Sequence, residues 1–548
     1  ISDSAYPHMV PVLSALLHGK VLFSHFSLIQ SSESERSWSK MQPIYTSVDM
    51  ANIFAQHGVP YAGLNFLDRL HLASYLFRSY PRACFFTVFM KQNRDMQINP
   101  FRSTGIWRTV VLYLTLLFPN RKLYCQQRST LTPARQPRVI VAMLGARLHY
   151  ALPRLLNEAG YLDRLFTDSY LGNKPFVEFF LRIMSLFWRP GFVRRWLGRS
   201  EKSIPSEKIT SFELFGLWYG CARSLSRTDN LVQLYVDQNK DFIRKILHIG
   251  LGESDVVWGF NGASLELFES AKHKGKICIL EQTILPYALE RKLLQQEQVR
   301  WPGWELNPPD HSHDSILEVR EKAEWDLADV IVTGSDFVRD GLILLGLPHY
   351  KVHVIPYGVD PKAFPVSSVN TTFTMGCKQC LNVLFGGQVG LRKGVPDLLE
   401  AIVEFNPSDI HLRLAGAISL RQDMLLRYAD HAEFLGPVPR AYMHHLFKWA
   451  DVFVLPSIAE GSATIIYESI LSGCPVITTP NSGSLVQDKI TGYIVPIRRP
   501  DEIARALRRY INDPSLLIEH KRATFKLRRL CSIERYGNDI VTLINSLI

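Results

Sequence analysis

The chain has 548 residues, of which 47 % are hydrophobic and 21 % are charged. This composition excludes an intrinsically disordered protein, and the length favours about three domains. A net charge of +11 favours anionic partners such as nucleotides, phospholipid headgroups or nucleic acids, but does not choose among them.

Residues 1–135 mix aromatic and polar segments without a repeated unit, and they end in a polar, linker-like stretch. The fold and role of this N-terminal region stay unassigned. The longest apolar run of the chain, residues 110–118, is shorter than the roughly 20 residues that a membrane-spanning helix needs. The sequence has no basic-then-apolar leader after Ile1, so we expect a cytoplasmic protein, either free or at the inner face of the membrane.

From residue 138 onwards the pattern becomes α/β. A β-branched strand at residues 138–144 leads into Gly145 and then into a helical stretch that closes on Gly160. The alternation of strands and helices favours a parallel, doubly wound, Rossmann-like domain over residues 138–365. Its further predicted strands are residues 255–259, 276–280, 330–333 and 351–355.

A second α/β series follows and predicts another Rossmann-like domain over residues 380–520. Its predicted strands are residues 381–385, 411–415, 451–455 and 475–478. Two tandem open sheets imply a cleft between them. Ligands of such sheets bind outside the carboxyl ends of the strands, which is where we look for chemistry.

The first motif is the glycine-rich loop GGQVGLRKG at residues 386–394, which lies between a predicted strand and a predicted helix. Glycines allow backbone amides to approach an anion, and the helix N-terminus adds positive potential. A glycine-rich turn is a weak signal alone, but the adjacent Arg392 and Lys393 supply charge for a diphosphate.

The second motif places Glu460 in the loop after a predicted strand and Glu468 eight residues later, roughly two turns along the next helix. Two such carboxylates can accept hydrogen bonds from hydroxyl groups at two ends of one ligand. The small residues Gly461, Ser462 and Ala463 leave room for that ligand. Two solvated glutamates are the structural alternative.

These motifs, in this order and together with the later segments TTPNSGS and TGYIVP, resemble glycosyltransferase family 4, the group 1 retaining enzymes of the GT-B fold. The resemblance covers most of residues 381–500 and continues more weakly upstream. It implies an acceptor-side domain over residues 138–365, a donor domain over 380–520, and a C-terminal helix at 521–548 that crosses back to the acceptor domain.

By position, the resemblance implies that Glu468 holds the nucleotide ribose, Glu460 bonds sugar hydroxyls, and Lys393 with Arg392 neutralises the diphosphate. The family usually has an arginine where this chain has Gln388, and we expect Arg392 to compensate. The catalytic residues expected on this basis are Glu460, Lys393 and Arg392. The donor-binding residues expected are Gly387, Gln388, Gly390, Gly461, Ser462, Ala463, Thr464 and Glu468.

The resemblance further implies a hexosyltransferase that moves a sugar, with retention, from a nucleotide-sugar donor to a glycan or lipid-linked hydroxyl acceptor. Such an enzyme serves glycan, polysaccharide or glycolipid synthesis. With two cations at the diphosphate, we expect no bound metal and no cofactor. The only CxxC pair, Cys377 and Cys380, lacks the second pair that a structural zinc site needs.

On the acceptor side, Arg147, His149 and Asn261 follow predicted strand ends and are the candidate cleft residues. Arginines and aromatics interleave at residues 182–199, a pattern compatible with peripheral membrane association and equally with a packed helix pair. Two alternatives to the transferase stay open, a non-catalytic nucleotide-sugar-binding or assembly subunit and a GT-B-like epimerase. We expect no nucleic-acid partner, because no motif of that class is present.

Overall fold

The computed structural model describes residues 136–172, 174, 197–225, 231–306, 314–364 and 380–548. The chain divides into two compact units, Ile1–Thr132 and Pro133–Ile548. The described residues all belong to the second unit, so the N-terminal region that the sequence left unassigned lies outside them. We therefore describe the second unit by itself.

The first sheet of this unit has seven strands in the order β3-β2-β1-β4-β5-β6-β7, all parallel. Its central strands β1 and β4 are buried at every position, as apolar strands covered on both faces must be. The strands are β1 Val139–Met143, β2 Leu162–Thr167, β3 Ile209–Ser211, β4 Val256–Phe260, β5 Ile277–Gln282, β6 Val330–Thr333 and β7 Val352–Val354. The helices are α1 Ala151–Glu158, α2 Glu213–Leu225, α3 Leu231–Ile249, α4 Leu265–His273, α5 Tyr287–Arg300, α6 Asp314–Leu327 and α7 Asp336–Leu344.

The second sheet has six parallel strands in the order β10-β9-β8-β11-β12-β13. The strands are β8 Leu381–Gly386, β9 Ile410–Ala415, β10 Ala432–Gly436, β11 Val452–Leu455, β12 Val476–Thr478 and β13 Gly492–Ile494. The helices are α8 Val395–Ile402, α9 Gln422–Leu426, α10 Arg440–Trp449, α11 Thr464–Leu471, α12 Pro500–Asn512, α13 Pro514–Lys526 and α14 Ile533–Leu547. Both sheets are doubly wound, which confirms the predicted architecture for the described residues.

Four strands of the two sheets were missed from the sequence, namely β2, β3, β10 and β13. Three of them are edge strands, and β3 and β13 have only three residues each. In β2 the charged pair Asp163 and Arg164 interrupts the apolar run. A strand that pairs on one side only, or that carries charges, lacks the continuous apolar run by which the central strands were identified.

The sequence predicted one helix over residues 521–548, but the structure divides this segment into several elements. Helix α13 ends at Lys526, a short 3-10 helix spans Leu527–Cys531, and α14 begins at Ile533. Helix α14 then packs near α1, where the Tyr161 hydroxyl donates to Asn545 Oδ1 at 2.7 Å. The last helix thus contacts elements of the first sheet.

In each sheet the strand order reverses at one point, between β1 and β4 in the first and between β8 and β11 in the second. Open parallel sheets bind ligands outside the carboxyl ends of the strands at such a point. The loops that follow these four strands carry the residues singled out from the sequence. Among the helices of the described ranges, none has the length and apolarity that a membrane span requires.

Candidate functional site

The carboxyl ends of the two sheets meet through the loop that follows β11. The Ser335 hydroxyl, after β6, donates to the backbone oxygen of Gly461 in that loop. A Cβ added to Gly461 would lie 1.8 Å from the Thr283 oxygen, after β5, so only glycine fits this approach. The two switch points therefore face one cleft.

A second set of contacts joins the half with the first sheet to the half with the second sheet, at the C-terminal end of α5. Asp397 of α8 pairs with Arg300 at 2.7 Å, and Glu297 pairs with Arg498 at 2.5 Å. Beyond the end of α5, the Glu305 carboxylate accepts the backbone N–H of Leu391 at 3.0 Å. The half that contains the first sheet thus holds part of the glycine-rich loop, a contact that the sequence did not indicate.

The glycine-rich loop begins where β8 ends, at Gly386, and runs through a 3-10 turn at Leu391–Lys393 into α8. Gly394 has φ +67°, the left-handed region that favours glycine, and a Cβ there would meet the Pro456 oxygen at 2.0 Å. Close packing therefore accounts for Gly394. Gln388 is exposed and Gly390 is buried in the same loop.

Arg392 and Lys393 converge on the Glu460 carboxylate. Glu460 Oε1 lies 2.7 Å from Arg392 Nη1 and 2.5 Å from Lys393 Nζ. Burial lowers the pKa of Lys393, and the Glu460 charge opposes that shift. The backbone supports the same arrangement, because the N–H of Ile458 donates to the Arg392 oxygen at 2.9 Å. The structure thus brings the three residues predicted as catalytic into one charged cluster.

Glu468 lies in α11, just over one turn from the start of the helix rather than the two turns predicted. Its buried carboxylate pairs with Arg440 Nη2 at 3.0 Å. Burial raises the pKa of Glu468, and the Arg440 charge opposes the shift. Sequence reasoning missed Arg440, which is the first residue of α10 and follows the edge strand β10 that was also missed.

The small residues after Glu460 form the entry to α11. Ser462 Oγ lies 2.6 Å from the Tyr467 hydroxyl, and the N–H of Ala463 donates to the Ser482 oxygen at 3.1 Å. Thr464 is the first residue of the helix. Gly461, Ser462 and Ala463 are buried, and Thr464 is half-buried, so the room that the sequence suggested beside Glu460 is taken up by packing.

At the first sheet, the structure brings Arg147 and Asn261, predicted as acceptor-side residues, together on Thr283. The Arg147 guanidinium donates to the Thr283 hydroxyl at 2.9 Å, and that hydroxyl donates to Asn261 Oδ1 at 2.9 Å. Arg147 also lies over the Phe260 ring at 5.1 Å. These contacts place Arg147 and Asn261 at the first switch point, opposite Gly461.

His149 lies apart from that group, in a left-handed turn formed by Leu148, His149 and Tyr150 with φ of 46°, 53° and 59°. Non-glycine residues in this region carry strain, and such strain is concentrated at functional sites. The His149 side chain is exposed, and partial desolvation together with the Arg440 charge lowers the pKa of its imidazole.

Two buried carboxylates, Glu281 and Glu324, lie beside the strand ends of the first sheet. Glu281 accepts a hydrogen bond from Trp258 Nε1 at 3.1 Å, and burial raises its pKa to about 7. Glu324 accepts the N–H groups of Gly262 and Ser264 at 2.6 and 2.7 Å, which holds the loop that carries Asn261. Glu281 lies in one of the upstream segments that carry the weaker resemblance, but the sequence assigned it no role, and Glu324 was not singled out.

Residues 381–513 match the family described as Glycosyl transferases group 1. This part of the chain is therefore similar to group 1 glycosyltransferase domains. Among curated proteins, a D-inositol 3-phosphate glycosyltransferase of Thermobifida fusca is 30 % identical over 35 % of this chain and 50 % of its own. A putative glycosyltransferase of Bacillus subtilis is 28 % identical over 38 % of this chain and 57 % of its own. The chain thus spans about half the length of the relatives that it matches.

Among solved structures, the sucrose-phosphate synthase of Thermosynechococcus elongatus aligns with a TM-score of 0.51. The alignment covers 75 % of this chain and 99 % of that one at 17 % identity. At that identity the likeness concerns the fold, and it agrees with the two facing parallel sheets described above. Residues 381–513 therefore lie within a GT-B fold.

Two sequence features lie wholly or partly outside the described residues. Residues 182–196 of the arginine- and aromatic-rich segment are outside them, and so is Cys377 of the CxxC pair. Within the described ranges, no group of three or more histidine, cysteine, aspartate or glutamate side chains is placed to hold a metal ion.

Proposed function

We propose that the protein is a retaining glycosyltransferase of the hexosyl type, which moves a sugar from a nucleotide-sugar donor to a hydroxyl of a glycan or lipid-linked acceptor. The observation that carries the proposal is the cluster of Glu460, Lys393 and Arg392 at the second switch point. It combines carboxylate acceptors for sugar hydroxyls with cations for a diphosphate in one place.

When the donor binds, the three charged residues of this cluster change partners. The diphosphate takes Lys393 and Arg392 as its cations, and Glu460 turns to accept hydrogen bonds from the sugar hydroxyls. Glu468 accepts hydrogen bonds from the ribose. The low exposure of Lys393 strengthens its attraction to the diphosphate, because charges interact more strongly where water is excluded.

The transfer step breaks the bond between the anomeric carbon and the phosphate oxygen, and the acceptor hydroxyl oxygen bonds to that carbon on the same face. The hydroxyl proton passes to the departing phosphate. Negative charge grows on that phosphate, so Lys393 and Arg392 stabilise the transition state, which is the main effect expected of such groups. This route assigns no step to a metal ion. Arg147 and Asn261, across the cleft, orient the acceptor.

A second candidate function is a nucleotide-sugar-binding subunit without turnover. The exposed Gln388 favours it, since the resembling family usually has an arginine there. Both candidates predict that nucleoside diphosphates bind.

The experiment measures nucleoside diphosphate release by the full chain from a panel of nucleotide sugars. We expect Glu460→Ala to lower the rate on the order of 10²-fold, the usual effect of removing one transition-state contact. Glu433→Ala is the matched control, because Glu433 forms a comparable ion pair with Arg413 at 2.7 Å on an exposed surface. Tight binding of a nucleotide sugar without turnover would favour the subunit. Full turnover by Glu460→Ala would refute the site.

A further inference from the structure

We propose that Arg440 is a positioning residue for the nucleoside end of the donor, which orients the Glu468 carboxylate to accept hydrogen bonds from the ribose hydroxyls. This inference rests on the proposed function, in which Glu468 binds the ribose. Arg440 then determines how strongly the site prefers a ribonucleotide to its 2′-deoxy counterpart.

The two side chains of the Glu468–Arg440 ion pair differ in their exposure to solvent. The Glu468 side chain is 9 % exposed and the Arg440 side chain is 47 % exposed, while their nearest atoms are 3.0 Å apart. The carboxylate is thus enclosed, and the guanidinium covers it from the solvent side. A cation in this position restricts the direction in which the carboxylate can accept further hydrogen bonds.

Helix stability does not explain an arginine at this position. Arg440 is the first residue of α10, and the first turn of the helix has no acidic residue. The helix dipole disfavours a cation at the N-terminus, so Arg440 slightly destabilises α10. The favourable contact that offsets this cost is the one with Glu468, which belongs to a different helix.

The charge of Arg440 also keeps Glu468 a competent acceptor. Burial favours the neutral carboxyl group, which donates through its O–H and is a weaker acceptor than the carboxylate. Arg440 acts in the opposite direction. Among the described residues, Arg440 is the cation that pairs with Glu468, and its charge also lowers the pKa of the His149 imidazole.

The test uses the full chain, a panel of nucleoside diphosphates, and the 2′-deoxy form of whichever member binds most tightly, with calorimetry as the readout. We expect the wild type to prefer the ribonucleotide by roughly tenfold, as for a hydrogen bond to a charged group. Arg440→Ala should lose most of that preference, and Arg440→Lys should keep part of it. Glu468→Gln should lose it too, and adding Arg440→Ala to Glu468→Gln should change nothing further.

Arg413→Ala is the matched control, because it breaks the exposed pair with Glu433 on the same half of the molecule. It should leave the preference intact. A pH series adds a readout that a purely structural role would not change. Ribonucleotide affinity falls as pH drops through the pKa of Glu468, and in Arg440→Ala this fall should occur at higher pH, because the cation no longer lowers that pKa.

Two results separate failure of this inference from failure of the proposed function. Equal weakening of ribo- and deoxyribonucleotide binding by Arg440→Ala, with an unchanged pH profile, would overturn the role of Arg440 and leave the transferase standing. Absence of binding by any nucleoside diphosphate to the wild type would overturn the proposed function itself, and this inference with it.

Discussion

The contact between the two halves at Gly461 allows a sharp prediction for Gly461→Ala. The added Cβ would lie 1.8 Å from the Thr283 oxygen and 2.7 Å from its carbonyl carbon. Ordinary van der Waals contact begins at 3.4 Å, so the loops after β5 and β11 must separate by about 1.6 Å. Both contacts are with backbone atoms, which cannot rotate away as a side chain would.

The separation should affect catalysis more than folding. Overpacking of this kind costs about 1–3 kcal/mol when the structure cannot adjust, and here the two sheets can move apart instead. A displacement of about 1 Å between reacting groups costs on the order of 10²-fold in rate. We therefore expect turnover to fall by roughly that factor, with a smaller change in nucleoside diphosphate affinity, because Lys393, Arg392 and Glu468 all lie in the second half.

The assay combines nucleoside diphosphate release, calorimetric binding and thermal melting. Gly220→Ala is the control, since Gly220 lies within α2 and an added Cβ there meets no atom of the described part of the chain within 4 Å. It should retain activity, and alanine is the better helix former. If Gly461→Ala turned over the donor at the wild-type rate, the close approach of these loops would have no role in catalysis.

Three further predictions concern charge. Burial raises the pKa of Glu281 to about 7, so the folded protein keeps a proton that the unfolded chain loses near pH 4.5, and stability falls as pH rises through 7. The melting temperature of Glu281→Gln should therefore rise relative to wild type between pH 5 and 8, and a constant difference would contradict this. Gln388→Arg adds a cation at the end of β8 and should tighten nucleoside diphosphate binding several-fold by calorimetry; weaker binding would show that the side chain points elsewhere. Lys393→Met should weaken the same binding by about tenfold or more, and unchanged affinity would remove Lys393 from the diphosphate site.

The central strands could be predicted from the sequence because the apolar run that identifies them lies within each strand. Strands β1, β4, β8 and β11 are covered on both faces, so their apolar character is continuous and can be read without knowing their neighbours. The residues at their carboxyl ends then follow from chain order alone. Such reasoning located the glycine-rich loop and Glu460, and the order of these motifs, together with Glu468, carried the family resemblance.

The tertiary structure decided which of these residues are in contact. Chain order does not pair Glu460 with Lys393, Glu468 with Arg440, or Arg147 with Thr283, because each contact joins segments that are distant in sequence. Arg440 and Glu305 carry no sequence signal at all, since each acquires its role from a partner that packing brings within 3.0 Å. The sequence by itself determined the residue types at the strand ends, whereas the approach of the two sheets decided their partners, their burial and hence their charge states.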